Sequence, residues 1–434
     1  MQENSSYLFL PFCFDGKPAS FTDRVREQGA VWEDAQDDLR YLYRYITDKL
    51  KGNADQPPIC FHYQLREEAR SRFGLEKTDT LWTVRYCGEA AHSADIPLEI
   101  SEVHLYCFNT QVGILAFRVS FHTKELRLIS NALFMLKKAY LPCLFRTEEE
   151  NRGYSLLDFG TALLNDIGPV RFFYYSNDGQ ERANVLSCVE MPAQEDVVQA
   201  LYYLRHCYDE RFDYIPDGEE DETLRAAGNI VWGVTQEASV CAYTLTDKNR
   251  CFIENRFLPN FRSQYLFMQV YLLHQRYVLY LFLTKISRGA YTDLDVLEAY
   301  REKLYEFETD FIYSSISEVP QYQKLYDRTV QIYGLPNIFA DVHEPIRSLE
   351  EVRRKELKKE KEEQDNKLNH ALAWLAVLVL FSALIDSFDW VDSFFSPYLS
   401  GNLISALQIV LTVLIFIIVG RQVVKMIRSG SRDR

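Results

Sequence analysis

The sequence lacks the marks of most functional classes. There is no excess of positive charge: the formal net charge of the 434 residues is -14. That excludes a general nucleic-acid-binding surface, which is broadly basic, but leaves room for an isolated basic pocket. The nine cysteines are odd in number, none forms a CxxC pair and none lies beyond Cys251. They read as reduced thiols of a cytosolic domain, mostly core fillers, rather than a disulfide frame or zinc site. No GxxxxGKS/T, HExxH, GxSxG or GxGxxG occurs, so no enzyme signature stands out and catalysis is not expected. Asp158-Phe159-Gly160 lacks a kinase catalytic loop, and the eight histidines are dispersed. The opening MQENSSYLFLPFCFDGKP has no basic n-region and its apolar run is broken by Pro11. It is therefore not read as a secretory signal, and the soluble part is expected to stay in the cytosol.

Two runs lack charge altogether. LNHALAWLAVLVLFSALI (Leu368–Ile385) and LISALQIVLTVLIFIIVG (Leu403–Gly420) contain no Asp, Glu, Lys or Arg. Each would measure about 27 Å as a helix at ~1.5 Å per residue, close to the hydrocarbon thickness of a bilayer. A membrane hairpin fits them better than two buried core helices. Arg353, Arg354, Lys355, Lys358, Lys359, Lys361 and Lys367 precede the first run, and Arg421, Lys425, Arg428, Arg432 and Arg434 follow the second. No Lys or Arg lies between Asp386 and Asn402. The positive-inside rule then puts both termini in the cytoplasm and DSFDWVDSFFSPYLSGN outside.

In the soluble part, alternation predicts strands at 7–14, 81–87, 102–108 and 113–121, the last two joined at Asn109-Thr110-Gln111. Helical spacing follows in KELRLISNALFMLKKAYL. Strands are expected near 169–176 and 183–191 around the turn Asn177-Asp178-Gly179, a helix near 195–212, and one or two strands in 229–245. From about 259 the pattern is helical, with segments at 294–310 and 320–334. Pro345 suits a first helical turn, and no Pro or Gly interrupts Ile346–Ile385. This gives an α/β cytosolic domain (1–340), a helical stalk (341–367), a first transmembrane helix (368–385), an external loop (386–402), a second helix (403–420) and a basic cytosolic tail (421–434).

This layout resembles the CorA superfamily of channels and transporters. The likeness is sharper in HLYCFNTQVGILAFRVSF (104–121), which is similar to the hairpin of bacterial CorA-like proteins; Gln111 stands where their pattern has Gly. Lys137 and Lys138, in SNALFMLKKAYLP, fall where those relatives carry an Arg pair. The branch it resembles is the CorA-like membrane effectors encoded beside type III CRISPR systems. The resemblance implies an antiviral effector in the inner membrane. It would sense a nucleotide messenger, a conjugate of S-adenosylmethionine and AMP, as a homo-oligomer, tetrameric or pentameric. Magnesium-transporting members carry Gly-Met-Asn after the first span. Here that place reads DSFDWVDSFFSP, and Gly401-Asn402 is incomplete and precedes the second span. A divalent-cation channel with another filter, and a non-conducting scaffold, stay open as alternatives.

Candidate residues follow. Lys137 and Lys138 are either a solvated helix end favoured by the dipole or phosphate contacts, though Lys lacks the bidentate fork of Arg. Arg152 is a second basic candidate. Asn109 and Thr110 are turn residues or ligand contacts. Asn369 is interfacial or part of an inner pore ring. Ser382 and Asp386, four apart, share a helix face, with Asp389 and then Asp392 drifting from it. In a ring of subunits these carboxylates would gather cations at a pore mouth; otherwise they face water. Two helices cannot enclose a channel, so a pore needs several copies. No resident cofactor is expected, and the partners are the membrane, a small anionic nucleotide and further copies of the chain, with a divalent cation in transit on the channel alternative.

Overall fold

The computed structural model describes residues 4–53, 56–76, 81–86, 94–146, 153–173, 180–192, 197–209, 211–215, 223–287, 294–395 and 400–430. The chain divides into two compact units, Met1–His343 and Glu344–Arg434.

The first unit is built on one large sheet. In chain order its elements are β1 (Asn4–Phe14), α1 (Pro18–Glu27), β2 (Trp32–Asp34), α2 (Arg44–Lys51), β3 (Cys60–Leu65), β4 (Trp82–Tyr86), β5 (Ala94–Phe108) and β6 (Val112–Phe121). Then come α3 (Leu126–Leu136), β7 (Leu144–Phe145), α4 (Leu156–Leu164), β8 (Val170–Phe172), β9 (Asn184–Glu190) and α5 (Val197–His206). β10 (Thr223–Ala227), β11 (Ile230–Val234) and β12 (Ala238–Tyr243) complete the sheet, whose main path runs β10-β11-β12-β9-β1-β6-β5-β3-β2. Every described pairing is antiparallel except β9 with β12.

β1 is buried from end to end, which is why its sequence is a nearly unbroken apolar run rather than an alternating one. Pro11 is tolerated in this central strand because of where its neighbours stop. β9 pairs with Ser5–Phe9 and β8 with Phe12–Phe14. Pro11 therefore falls in the gap between them, where a missing N–H leaves no ladder bond unmade. β8 and β9 do not form a hairpin with each other; both add to the same edge of β1. Residues 177–179, read as their turn, lie outside the described residues.

One face of the sheet carries the main apolar core. Leu8, Leu10 and Phe12 of β1 meet Phe21 and Val25 of α1, Ile129 and Leu133 of α3, and Leu163 of α4. Each such buried side chain contributes roughly 1.5–3 kcal/mol. The triplet at 158–160 belongs to this layer: Ser155 and Asp158 form a capping box at the start of α4, with Ser155 N donating to Asp158 Oδ2 at 2.9 Å and Asp158 N to Ser155 Oγ at 3.1 Å. Its role is helix initiation.

The other face is covered by a helical segment that starts with α6 (Arg250–Phe252) and α7 (Leu258–Asn260), alternating with π-helical turns at Ile253–Phe257 and Phe261–Tyr265, and continues as α8 (Leu266–Ser287). α8 buries polar groups as well as apolar ones, and several of them find partners across the layer. Gln275 Nε2 donates to the Phe311 carbonyl at 2.5 Å, and Arg276 Nη1 to the Gln236 carbonyl at 2.6 Å. α9 (Leu294–Phe311) and α10 (Pro320–Ile332) complete this layer.

α11 (Leu335–Phe395) starts in the first unit and ends in the second; α12 (Gly401–Gly430) follows. Two sequence expectations are corrected here. Pro345 lies inside α11, in its third turn, because the helix begins at Leu335 rather than beside the proline. The stretch expected as an external loop is helical through Phe395. Nothing from Asp386 to Phe395 breaks a helix; the first proline after the span is Pro397.

Candidate functional site

The first unit holds a cleft of about 240 Å³ where the β5–β6 hairpin tip, the loop before α1 and the helices α8 and α9 converge. Asn109, Thr110 and Gln111 form its tip wall. The tip is held on every side: Asn109 N donates to the Ile59 carbonyl at 3.1 Å, Phe14 N to the Gln111 carbonyl at 3.1 Å, and Gln111 Nε2 to the Gly16 carbonyl at 2.6 Å. Gln111 sits at φ 67, the left-handed region that glycine enters without a Cβ penalty. Thr110 Oγ1 is 2.7 Å from His274 Nε2, so its hydroxyl is engaged. His274 is wholly buried and stacks on Phe108 at 3.8 Å, and burial pushes its pKa far down, keeping it neutral.

Three lysines from three elements line the same cleft: Lys17 before α1, Lys285 on α8 and Lys303 on α9. None has a carboxylate within ion-pair distance among the described residues. Lys285 is half-buried, with its ammonium 5.8 Å from the Tyr300 ring centre. Burial, and then the charge of Lys303, push its pKa below the ordinary lysine range. Of the two acids in the lining, Asp310 is committed to Lys49 at 3.0 Å, and Glu306 is exposed. The apolar wall is Val278, Leu281, Phe282 and Phe307. On a chain of net charge -14, this is a local basic pocket.

The lysine pair of the sequence reading is not part of this cleft. Lys137, expected as a phosphate contact or a solvated helix end, is neither: it is buried, and its Nζ donates to Glu237 Oε2 at 2.9 Å and to the His206 carbonyl at 3.1 Å. Arg182 shares Glu237 at 3.1 Å. Burial alone would raise the Glu237 carboxyl, but the Lys137 and Arg182 charges outweigh it and hold it down. Lys137 thus neutralises a half-buried acid brought in beside β12. Lys138 is half-buried with its Nζ 3.8 Å from the Phe134 ring centre, and burial, then Lys137, lower its pKa. Arg152 lies outside the described residues.

In the second unit, α11 and α12 pair with each other. Gln408 Nε2 reaches the Phe388 carbonyl at 3.4 Å. Residues that lose exposure are Ala373, Val377, Leu380, Ser387 and Phe388 on α11, and Ile404, Gln408, Leu411, Thr412 and Ile415 on α12. At about 100° per residue, Ser382, Asp386 and Asp389 fall together on the face of α11 opposite α12, and all three are exposed. Asn369 is also exposed but lies about 140° around the helix from Ser382, so it shares no face with that trio. The apolar runs are not core helices: of their most apolar windows, 0% of the first and 6% of the second is buried. Leu372, Trp374 and Leu378, and Ile409, Val413 and Phe416, stand open to the surroundings, a surface that water does not favour.

The class these features define is an α/β domain followed by long C-terminal helices, two of which are long and apolar enough to cross a membrane. Compared with protein-family models, with curated proteins and with solved structures, the chain matches none.

Proposed function

We propose that the chain is a CorA-like, ligand-responsive membrane effector that acts without catalysis, in the manner of the type III CRISPR-associated antiviral branch. A small anionic nucleotide, of the S-adenosylmethionine–AMP type, binds the soluble unit; α11 carries the response to the paired spans, which open a pore or disturb the bilayer as a homo-oligomer. The supporting observation is α11 itself, one helix from Leu335 in the soluble unit to Phe395 beyond the first apolar run. The driving free energy is the difference in ligand affinity between the resting and active states. The basic segments flanking the two spans support an inner-membrane location with both ends in the cytoplasm.

The exposed trio Ser382, Asp386 and Asp389 favours a second reading, a divalent-cation channel. A carboxylate next to an apolar span is best accommodated against protein or water, and a ring of such carboxylates attracts cations. Cation flux from liposomes carrying the full chain separates the two. Addition of the adenylated messenger is expected to start the flux, and Asp386→Asn and Asp389→Asn to reduce it. Flux that runs equally without messenger sinks the effector reading in favour of the channel. A folded monomer with no flux leaves only a membrane-anchored scaffold.

A further inference from the structure

We infer that the cleft at the β5–β6 hairpin tip binds the phosphate of an aromatic nucleotide, with Lys17, Lys285 and Lys303 around the phosphate and the ring against Phe282 and Phe307. This assignment rests on the ligand-responsive reading and gives it a place distinct from Lys137 and Lys138. Lys17 and Lys303 are exposed at the rim and Lys285 is half-buried. Three lysines from distant parts of the chain line this one cleft, none with a carboxylate within ion-pair distance among the described residues. The Lys303 charge disfavours the ammonium of the partly desolvated Lys285, and a bound anion reverses that cost. Each charge-assisted hydrogen bond to phosphate is among the stronger polar contacts available. Beside the lysines the wall turns apolar and aromatic, which suits a base rather than a bare anion. The volume of about 240 Å³ lies just below the usual range for small-ligand pockets, so it takes one nucleotide, and the rest of a larger conjugate would project outward. The tip is rigidly placed by its backbone bonds and by Gln111 on Gly16, so the pocket is formed before the ligand arrives.

Calorimetry on the full chain in detergent tests this with AMP, adenosine and inorganic phosphate as probes. AMP is expected to bind. Adenosine and phosphate are each expected to bind at least about 10-fold more weakly, as are AMP to Lys285→Met and AMP to Lys303→Met, since a bond to a charged group is worth about a decade of affinity. The bound anion raises the Lys285 pKa, so affinity is complete below its free value and falls as the pH rises through the bound value. Unchanged AMP affinity in both lysine variants overturns the assignment, and phosphate binding as tightly as AMP overturns its aromatic half. If AMP does not bind, yet the messenger still triggers flux in wild type and both variants, the cleft assignment fails while the effector reading survives. Loss of both binding and flux removes the two together. Retained secondary structure and oligomer size in the variants guard against misfolding, which is not expected at exposed or half-buried lysines.

Discussion

Gly113→Ala is expected to lower the unfolding free energy of the first unit by about 2–3 kcal/mol, as an overpacked core does. A Cβ at Gly113 would run into Phe12 Cζ, with two further ring atoms at 2.7 and 2.8 Å. The ring has little room to give way: Phe12 is fully buried and packs edge-on to Phe172 at 6.0 Å, with Phe14 and Phe21 beside it. Urea unfolding followed by tryptophan fluorescence checks this. Phe12→Leu in the same chain is expected to recover part of the loss, because the two residues touch and their effects are not additive. A Gly113→Ala chain as stable as wild type would mean that the hairpin does not lie on β1 in the register found.

Glu102→Gln is expected to cost about 3 kcal/mol at pH 7. Glu102 lies opposite Arg118 across β5 and β6 and accepts from Arg118 Nη1 at 2.6 Å, with His104 Nε2 at 3.3 Å. Burial pulls this carboxyl upward, but the His104 hydrogen bond and the Arg118 charge outweigh it and hold the pKa at about 2, against an ordinary 4.5. A shift of that size corresponds to about 3 kcal/mol, and the variant also leaves the buried Arg118 without its counter-charge. Because the folded pKa is depressed, the contribution is complete above about 4.5 and is lost as the pH falls from there to about 2. The gap between wild type and variant in urea should therefore be widest near neutral pH and shrink at pH 3. A gap that does not narrow at low pH would contradict the charge account of this cluster.

The hairpin of 104–121 was legible because both strands combine apolar runs with a short polar tip, and the structure keeps that tip at Asn109-Thr110-Gln111. The two apolar helices were legible from length and lack of charge alone. The role of Lys137 was not, because helical spacing says only that a pair of lysines ends α3. Its partner Glu237 is 100 residues away and arrives through the parallel pairing of β9 with β12. The cleft lysines gave no local signal: Lys17, Lys285 and Lys303 become neighbours only when α8 and α9 cover the sheet. The helical run past Ile385 was masked by its acidic, aromatic composition, which looks like a loop although none of its residues forbids a helix. Pro345 misled in the opposite sense, since a proline that fits a first turn is also tolerated deeper in a helix at the cost of one hydrogen bond.

On the proposed function, α11 connects ligand binding in the first unit to the two apolar helices. Lys361→Pro tests it most directly, because it removes the N–H that bonds the Leu357 carbonyl and breaks the helix at a cost of about 3 kcal/mol, while Lys361 lies on an exposed stretch of α11 outside both the cleft lining and the apolar run that begins at Leu368. Messenger binding and ion flux should be measured on the same liposomes for wild type and this variant. Affinity is expected to be unchanged with flux lost; a proline variant that binds the messenger and conducts like wild type would show that α11 does not carry the response.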